Sequence, residues 1–283
     1  MSSQSGGYYL PEPSRWPIVG SIGLFLMAFG AVLTMNSVSG GWYVLLAGAA
    51  VIIYMMFGWF GTVIGESESG KYNKQVDVSF RWGMSWFIFS EVMFFACFFG
   101  ALFYMRILSV PWLDDAETGT LLWNGFTAGW PVSGPGITEQ FTPMGAWGLP
   151  AINTALLLSS GVTITVAHHA LKSNNRAVLN WFMFFTIALG AAFLYLQAVE
   201  YSHAYHELNL TLESGAYGAT FFMLTGFHGF HVTVGTLMLI VIWVRCLKGH
   251  FKPEHHFGFE GVAWYWHFVD VVWLVLFIFV YWL

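Results

Sequence analysis

The sequence predicts an all-α, polytopic membrane protein with seven transmembrane helices. Of its 283 residues, 57% are hydrophobic and only 9% are charged, whereas about 25% of the residues in a soluble domain carry charge. So little charge cannot cover a globular surface in water. The apolar residues also fall in runs of about 20, the length that a helix needs to cross the hydrocarbon core of a bilayer.

The first two runs lie close together in the chain. They extend over Pro17–Val38 and Trp42–Ile64, and Gly40–Gly41 form a tight turn between them. The polar stretch 65–80 separates them from everything that follows. Residues 1–64 therefore contain two predicted spans, which are followed by a polar linker.

Five further runs lie within residues 81–283. The longest gap between them is the loop 108–147, which is rich in Gly, Pro, Trp and acidic residues and is too polar to span a membrane. The five runs extend over Arg81–Arg106, Gly148–His168, Ala177–Tyr201, Tyr217–Val244 and Gly258–Trp282.

The orientation follows from the basic residues of alternate loops. Nine of the ten Lys and Arg residues fall on the side of the N-terminus, and only Arg106 lies opposite. Because cytoplasmic loops carry an excess of Lys and Arg, the N-terminus and the linker 65–80 are predicted to be cytoplasmic. With seven spans, the C-terminus and the loop 108–147 are then extracytoplasmic.

Glu91 is a carboxyl group at membrane depth. It lies ten residues beyond Arg81, or about 15 Å along a helix. The side chains three and four residues away exclude water, so a protonated, neutral carboxyl is expected there. Two interpretations remain open, a structural glutamate and a functional carboxyl that exchanges a proton or organises a site. The neighbours are Phe87, Ile88, Phe94 and Phe95.

Other ionisable residues in the runs are expected to form hydrogen bonds within the bundle. His267 and Asp270 share a helix face and can share a proton or an ion pair. His228 and His231 also face one side, where they either bond across a helix interface or ligate a metal. Glu200 is expected in a solvated rim at the outer surface. No metal-binding motif accompanies the histidines.

Several residues gather at the predicted cytoplasmic boundary. Trp59 and Glu66 lie there in the second run, and Arg245, Lys248 and His250 lie at the same level after the sixth. Basic residues at this depth either bind the phosphate groups of anionic lipids or serve as snorkelling anchors.

Long motifs in the last five runs carry a family resemblance. With their order and spacing, they resemble subunit III of the haem-copper cytochrome c oxidases. The motifs are RWGMSWFIFSEVMFFACFFGALFY (81–104), NTALLLSSGVTITVAHHAL (153–171), LQAVEY (196–201), FFMLTGFHGFHVTVG (221–235) and HHFGFEGVAWYWHFVDVVW (255–273).

The resemblance implies an N-terminal two-helix bundle (residues 1–64) and a five-helix bundle (residues 81–283) around a lipid cleft. It implies a subunit without a redox centre in a complex that reduces O₂ to water and pumps protons. Haem A and copper would lie in partner subunits, and this chain would bind phospholipids but no cofactor. The implied partners are subunit I, in direct contact, subunit II and small subunits, with cytochrome c as electron donor and no nucleic acid.

The resemblance also assigns residues. Trp59, Glu66, Phe87 and Arg245 match positions associated with lipids in the family, and Lys248 and His250 match positions near a further anionic head group. Glu91 matches a buried carboxyl that reacts with a hydrophobic carbodiimide. The length of the loop 108–147 points to a bacterial enzyme of the inner membrane.

Two alternatives stay open at this point. Subunit III of a quinol oxidase would share the motifs, but such subunits usually lack the first two spans. A proton-coupled transporter would use Glu91 and Asp270 as carriers and should have helices broken by Gly or Pro in matching halves.

Overall fold

The computed structural model describes residues 9–115, 117–137 and 139–283. Within these residues, seven helical stretches are long and apolar enough to cross a membrane, which confirms the predicted fold class. The helices are α1 (Trp16–Met35), α2 (Gly41–Glu68), α3 (Lys74–Phe103), α4 (Val110–Leu113), α5 (Thr118–Leu122), α6 (Leu149–Lys172), α7 (Arg176–His206), α8 (Gly215–Leu247) and α9 (Phe257–Leu276). Two π-helical segments, Tyr104–Ser109 and Phe277–Trp282, extend α3 and α9.

Two of the helices, α2 and α3, extend beyond the apolar runs that predicted them. α2 continues four residues beyond the predicted end at Ile64, and α3 begins at Lys74, inside the predicted linker 65–80. Polar residues continue these helices because a helix satisfies its own backbone hydrogen bonds on both sides of the hydrocarbon boundary.

The third stretch continues past its predicted end at Arg106. The π-helical segment leads from α3 into the short helix α4, which ends at Leu113. Pro111 has no N–H group and its ring crowds the carbonyl four residues earlier. The wider π-helical turns just before it relieve this conflict.

By its contacts the chain divides into two compact units, one that ends at Phe80 and one that runs from Arg81 to Leu283. In the first unit, α1 and α2 pack against each other at backbone distance. A Cβ added at Gly30 would lie 2.6 Å from the Leu45 Cα, so this crossing requires glycine. Gly40, at φ 86°, forms the turn between the helices, and the Trp16 indole N–H donates to Thr62 Oγ1 at 3.2 Å.

In the second unit, α6, α7, α8 and α9 form a closed ring in which each helix packs against two neighbours. Trp266 and Trp273 of α9 are fully buried at the centre of this ring of helices. Each indole N–H finds an acceptor on α6, at Ser160 Oγ (2.8 Å) and Thr154 Oγ1 (2.9 Å). A buried indole needs such a partner, so these two bonds fix the register of α9 against α6.

The part of α3 that lies in the second unit packs against α8 and α9 through aromatic rings. Phe94 meets Phe227 edge-on with ring centroids 5.1 Å apart, and Phe95 lies 6.1 Å from Phe268. These contacts hold Glu91, on the same helix, against α8.

Candidate functional site

Glu91 pairs with a histidine of another helix. His231 Nε2 on α8 lies 2.9 Å from Glu91 Oε2, and the two side chains are 10% and 21% exposed. His231 Nδ1 lies 2.6 Å from the carbonyl oxygen of Phe227. Since a carbonyl only accepts, Nδ1 carries a proton and donates. One further proton is then shared between Nε2 and the carboxyl group, and the pair is neutral whichever atom holds it.

The sequence predicted the phenylalanine surroundings of Glu91 but not its partner. The His231 ring lies 5.8 Å from Phe94 and 5.0 Å from Phe95 between centroids. His231 lies at the middle of α8, so its depth along the helix could have marked it as a candidate partner of Glu91. What was missing was the rotation of α8 about its axis, which only packing decides.

His228 has a different partner from His231. Its Nε2 lies 3.1 Å from the carbonyl oxygen of Val269 on α9, and the residue is 1% exposed. The two histidines therefore bond to two different helices. In the described part of the chain, no group of three or more His, Cys, Asp and Glu side chains is placed to hold a metal ion.

His267 and Asp270 come together on α9, and α6 completes the cluster. His267 Nδ1 lies 3.6 Å from Asp270 Oδ2, a distance for an ion pair but too long for a hydrogen bond. His267 Nε2 lies 3.2 Å from Thr165 Oγ1, which itself donates to the Gly161 carbonyl at 2.9 Å. Because that hydroxyl proton is used, His267 Nε2 is the donor in this bond.

The sequence prediction for Glu200 is wrong, because the residue does not lie in a solvated rim. It is fully buried. Its Oε1 accepts from the Tyr281 hydroxyl at 2.6 Å and from Gln197 Nε2 at 3.4 Å. Tyr281 lies 81 residues away in the chain, so no local pattern reveals this bond. The C-terminal π-helical segment brings Tyr281 inward and covers the carboxyl group.

In the first unit, the two predicted lipid residues have different settings. Trp59 is half exposed and stacks on Phe60 with ring centroids 6.3 Å apart. Glu66 Oε2 accepts a hydrogen bond from the Tyr72 hydroxyl at 2.7 Å. Burial, followed by the bond to the Glu66 carboxylate, raises the pKa of Tyr72, so its phenol keeps the proton that it donates.

In the second unit, Phe87 is half exposed and stacks on Tyr265 at 6.3 Å. Arg245, in the last turn of α8, lies over the Phe251 ring with its guanidinium carbon 4.4 Å from the centroid. Lys248 is exposed just past the helix end, and His250 N–H donates to the Arg245 carbonyl at 3.1 Å. These three basic residues therefore occupy one short turn.

The same end of the second unit contains an ion pair that the sequence did not predict. The Arg81 guanidinium of α3 donates to Glu260 of α9 through two nitrogens, at 2.9 to 3.2 Å. The His168 and His256 rings pack edge-on nearby at 5.2 Å. Fork-shaped Arg–carboxylate pairs are among the stronger polar contacts, so this one fastens α3 to α9.

Comparison with known proteins gives one consistent result. A profile of the family described as cytochrome c oxidase subunit III matches residues 6–283. Cytochrome c oxidase subunit 3 of Marchantia polymorpha is 41% identical over 281 residues, which cover 99% of this chain and 97% of the relative. The proteins of the same name from Hippopotamus amphibius and Triticum aestivum are 42% and 40% identical over 283 residues, and these cover all of this chain and 99% and 98% of the relatives.

Proposed function

Because the chain belongs to the cytochrome c oxidase subunit III family, we propose that it supports the catalytic subunit I and binds phospholipids, and carries no redox centre itself. It is part of an oxidase complex that works in the respiratory chain. The full-length family match is the observation that carries this proposal. The specific partners proposed are subunits I and II and small subunits, with cytochrome c as electron donor and haem A and copper outside this chain.

The settings of the buried histidines support a structural role. His228 and His231 each use ring nitrogens in hydrogen bonds to the protein, at 3.1 Å to the Val269 carbonyl and at 2.6 and 2.9 Å to Phe227 and Glu91. Such bonds tie α8 to α9 and α3. They are the interhelical polar contacts expected inside a membrane bundle.

The proposal for Glu91 is that it stays a buried group that shares a proton with His231. The pair carries no net charge whether the shared proton lies on Nε2 or on the carboxyl group, which lowers the cost of holding it inside the bilayer. A proton-carrying role remains the alternative for Glu91 and Asp270. Around Glu91 and Asp270, α3 is continuous over Lys74–Phe103 and α9 over Phe257–Leu276. This favours the structural role, since carriers commonly use broken helices.

Lipid binding is proposed at the end of α8. Arg245, Lys248 and His250 lie in one turn, next to the exposed apolar side chains of Val244 and Leu247. A phosphate group near the basic residues and acyl chains along the apolar ones would suit such a surface. The lipid cleft, with Trp59, Glu66 and Phe87 beside it, stays a prediction from the family.

The proposed location is a bacterial inner membrane, with the N-terminus cytoplasmic and the C-terminus extracytoplasmic. The distribution of Lys and Arg supports this orientation. Reporter enzymes that are active only outside the cytoplasm, fused after Ser69 and after Leu283, would test it. Activity at Leu283 alone is expected, and activity at Ser69 alone would reverse the assignment.

The decisive experiment for the function is affinity purification of the chain from native membranes. We expect a large membrane subunit with haem A absorbance to co-purify, and the complex to oxidise reduced cytochrome c. Oxidation of quinol in place of cytochrome c would favour a quinol oxidase. A chain that is monodisperse and free of partners, yet transports a solute, would refute the proposal.

Lipid binding can be tested separately by mass spectrometry of the purified complex. Replacing Lys248 by Ala should lower the amount of retained anionic phospholipid. Lys252→Ala, a basic residue near the same end but outside this turn, is the matched control. Equal lipid content in both variants would contradict the proposed site.

A further inference from the structure

We propose that Glu200 is a proton-dependent latch that holds the C-terminal segment Phe277–Trp282 on the bundle. While the carboxyl group is protonated, the segment stays docked, and ionisation of the carboxyl group releases it. The inference goes beyond the proposed function and does not depend on it, because it uses contacts within the second unit alone.

One short hydrogen bond joins the carboxyl group to the segment. The Tyr281 hydroxyl donates to Glu200 Oε1 at 2.6 Å, and both side chains are buried. The Tyr281 ring also packs against Phe221 of α8 and Trp273 of α9, with ring centroids 5.4 and 5.8 Å apart. Tyr281 therefore covers Glu200, and a movement of the segment would open a way for water to the carboxyl group.

The surroundings of the carboxyl group suit its neutral form. The titratable side chains that face it are three tyrosines, Tyr201 of α7, Tyr217 of α8 and Tyr281 of the segment. In the part of the chain that the structure describes, no Lys, Arg or His interacts with it, and α6 and the loop before α6 add no titratable group. A buried charge without a cation is strongly disfavoured.

Hydrogen bonds do not make up for the missing cation. Apart from Tyr281, the one donor to the Glu200 carboxyl group among the described residues is Gln197 Nε2, at a long 3.4 Å. Glu200 Oε2 has no partner among them. A carboxylate needs several donors to be held in an interior. Once it is ionised, the group therefore gains by reaching water.

The segment is the element that opens most easily. It is a single π-helical stretch at the end of the chain, and chain ends open at a lower free energy than the interiors of packed helices. Its other attachments lie at its far end, where Arg106 Nη2 donates to the Leu283 carbonyl at 2.6 Å and Trp282 meets Trp147 with ring centroids 5.8 Å apart. Release of the segment exposes Glu200 without unfolding the bundle.

The latch responds to the acidity on its own side of the membrane. Glu200 lies six residues before the end of α7 at His206, or about 9 Å, and this end is predicted to be extracytoplasmic. The docked state binds the proton more tightly than the open state does. By linkage, docking is therefore complete at low pH and is lost as the pH rises through the ionisation of the docked carboxyl group.

Hydrogen–deuterium exchange of the full chain, purified with its partners, tests the latch. The readout is the protection of the C-terminal peptide, corrected for the intrinsic effect of pH on exchange. Release linked to one proton should lower this protection about tenfold per pH unit once the carboxyl group ionises. Glu200→Gln, whose side-chain oxygen still accepts from Tyr281, should remove the pH dependence.

Glu207→Gln is the matched control, because this carboxylate lies just past the end of the same helix and its side chain is 71% exposed. It should keep the pH dependence of the unmodified chain. Ionisation of the three tyrosines is common to all variants and cancels in the comparison. An equal slope in the unmodified chain and in Glu200→Gln would overturn the inference, as would a protection that stays constant over the whole pH range in which the bundle is folded.

Two further measurements do not depend on that variant alone. Tyr281→Phe removes the bond to the segment, so the C-terminal peptide should lose protection even at low pH, and unchanged protection would contradict the latch. Infrared spectroscopy follows the C=O stretch of the protonated carboxyl group, which a carboxylate lacks. This band should disappear over the same pH range as the protection, and a band that persists while the segment opens would refute the coupling.

Discussion

Replacement of Gly190 by alanine tests the packing at the centre of the second unit. A Cβ at Gly190 of α7 would lie 2.7 Å from Trp266 Cη2 and 3.0 Å from its Cζ2. Carbon atoms pack best at about 3.5 to 4.0 Å. Trp266 has little room to move away, because the ring is fully buried and α8 packs closely on another side of it, where an added Cβ at Gly235 would lie 2.9 Å from the ring.

The expected cost follows from these distances. Overpacking of this kind lowers the free energy of unfolding by about 1 to 3 kcal/mol. Alanine in place of glycine in a helix raises it by about 1 kcal/mol. Gly229→Ala on α8 is the matched control, since a Cβ there meets nothing within 4 Å. The difference between the two variants isolates the steric cost, and it should therefore be about 1 to 3 kcal/mol.

The assay is the free energy of unfolding in detergent micelles titrated with SDS, followed by far-UV circular dichroism. A double-mutant cycle sharpens it, because Trp266→Phe removes the ring atoms that the new Cβ would meet. In that background, the penalty of Gly190→Ala should disappear. An equal penalty in both backgrounds, or a Gly190→Ala variant as stable as Gly229→Ala, would refute the packing argument.

Three further predictions concern polar groups. Glu91→Gln should leave the chain assembled with its partners but abolish labelling by a hydrophobic carbodiimide, measured by mass spectrometry; label retained on another carboxyl would show that Glu91 is not the reactive group. Tyr281→Phe should lower the free energy of unfolding by about 1 to 3 kcal/mol, because buried Glu200 loses its short hydrogen bond; an unchanged value would contradict that role. The pKa of Tyr72 in the folded protein is raised above its ordinary 10.0, so the folded state binds this proton more tightly than the unfolded state. The folded state therefore loses stability as the pH rises beyond 10.0. Tyr72→Phe should make that alkaline loss shallower in unfolding titrations, and an identical slope would refute it.

Glu91 shows how much of the site could be predicted from the sequence. Its depth and its phenylalanine neighbours follow from counting residues along one helix, and both could be predicted. Its partner His231 could not, because α3 and α8 meet only after the bundle forms. The spacing of residues along a single helix shows which side chains share a face, but not which other helix that face contacts.

Glu200 shows where counting misleads. It lies near the predicted end of its run, so a solvated setting was expected, yet α7 extends to His206. The extra turns and the C-terminal segment that carries Tyr281 place the carboxyl group in the interior. Helix ends in membrane proteins are weakly marked in the sequence, since polar residues can continue a helix into the interface.

The sequence alone determined seven spans, an all-helical class and a family resemblance, because the bilayer imposes length and apolarity on each span separately. Tertiary structure alone decided which polar groups meet: Glu91 with His231, Arg81 with Glu260, and Glu200 with Tyr281. The physical reason is that each of these bonds joins different helices, so it depends on their relative rotation and register. Packing around Trp266 and Trp273 sets both for α6 to α9, and the contacts of Phe94 and Phe95 set both for α3.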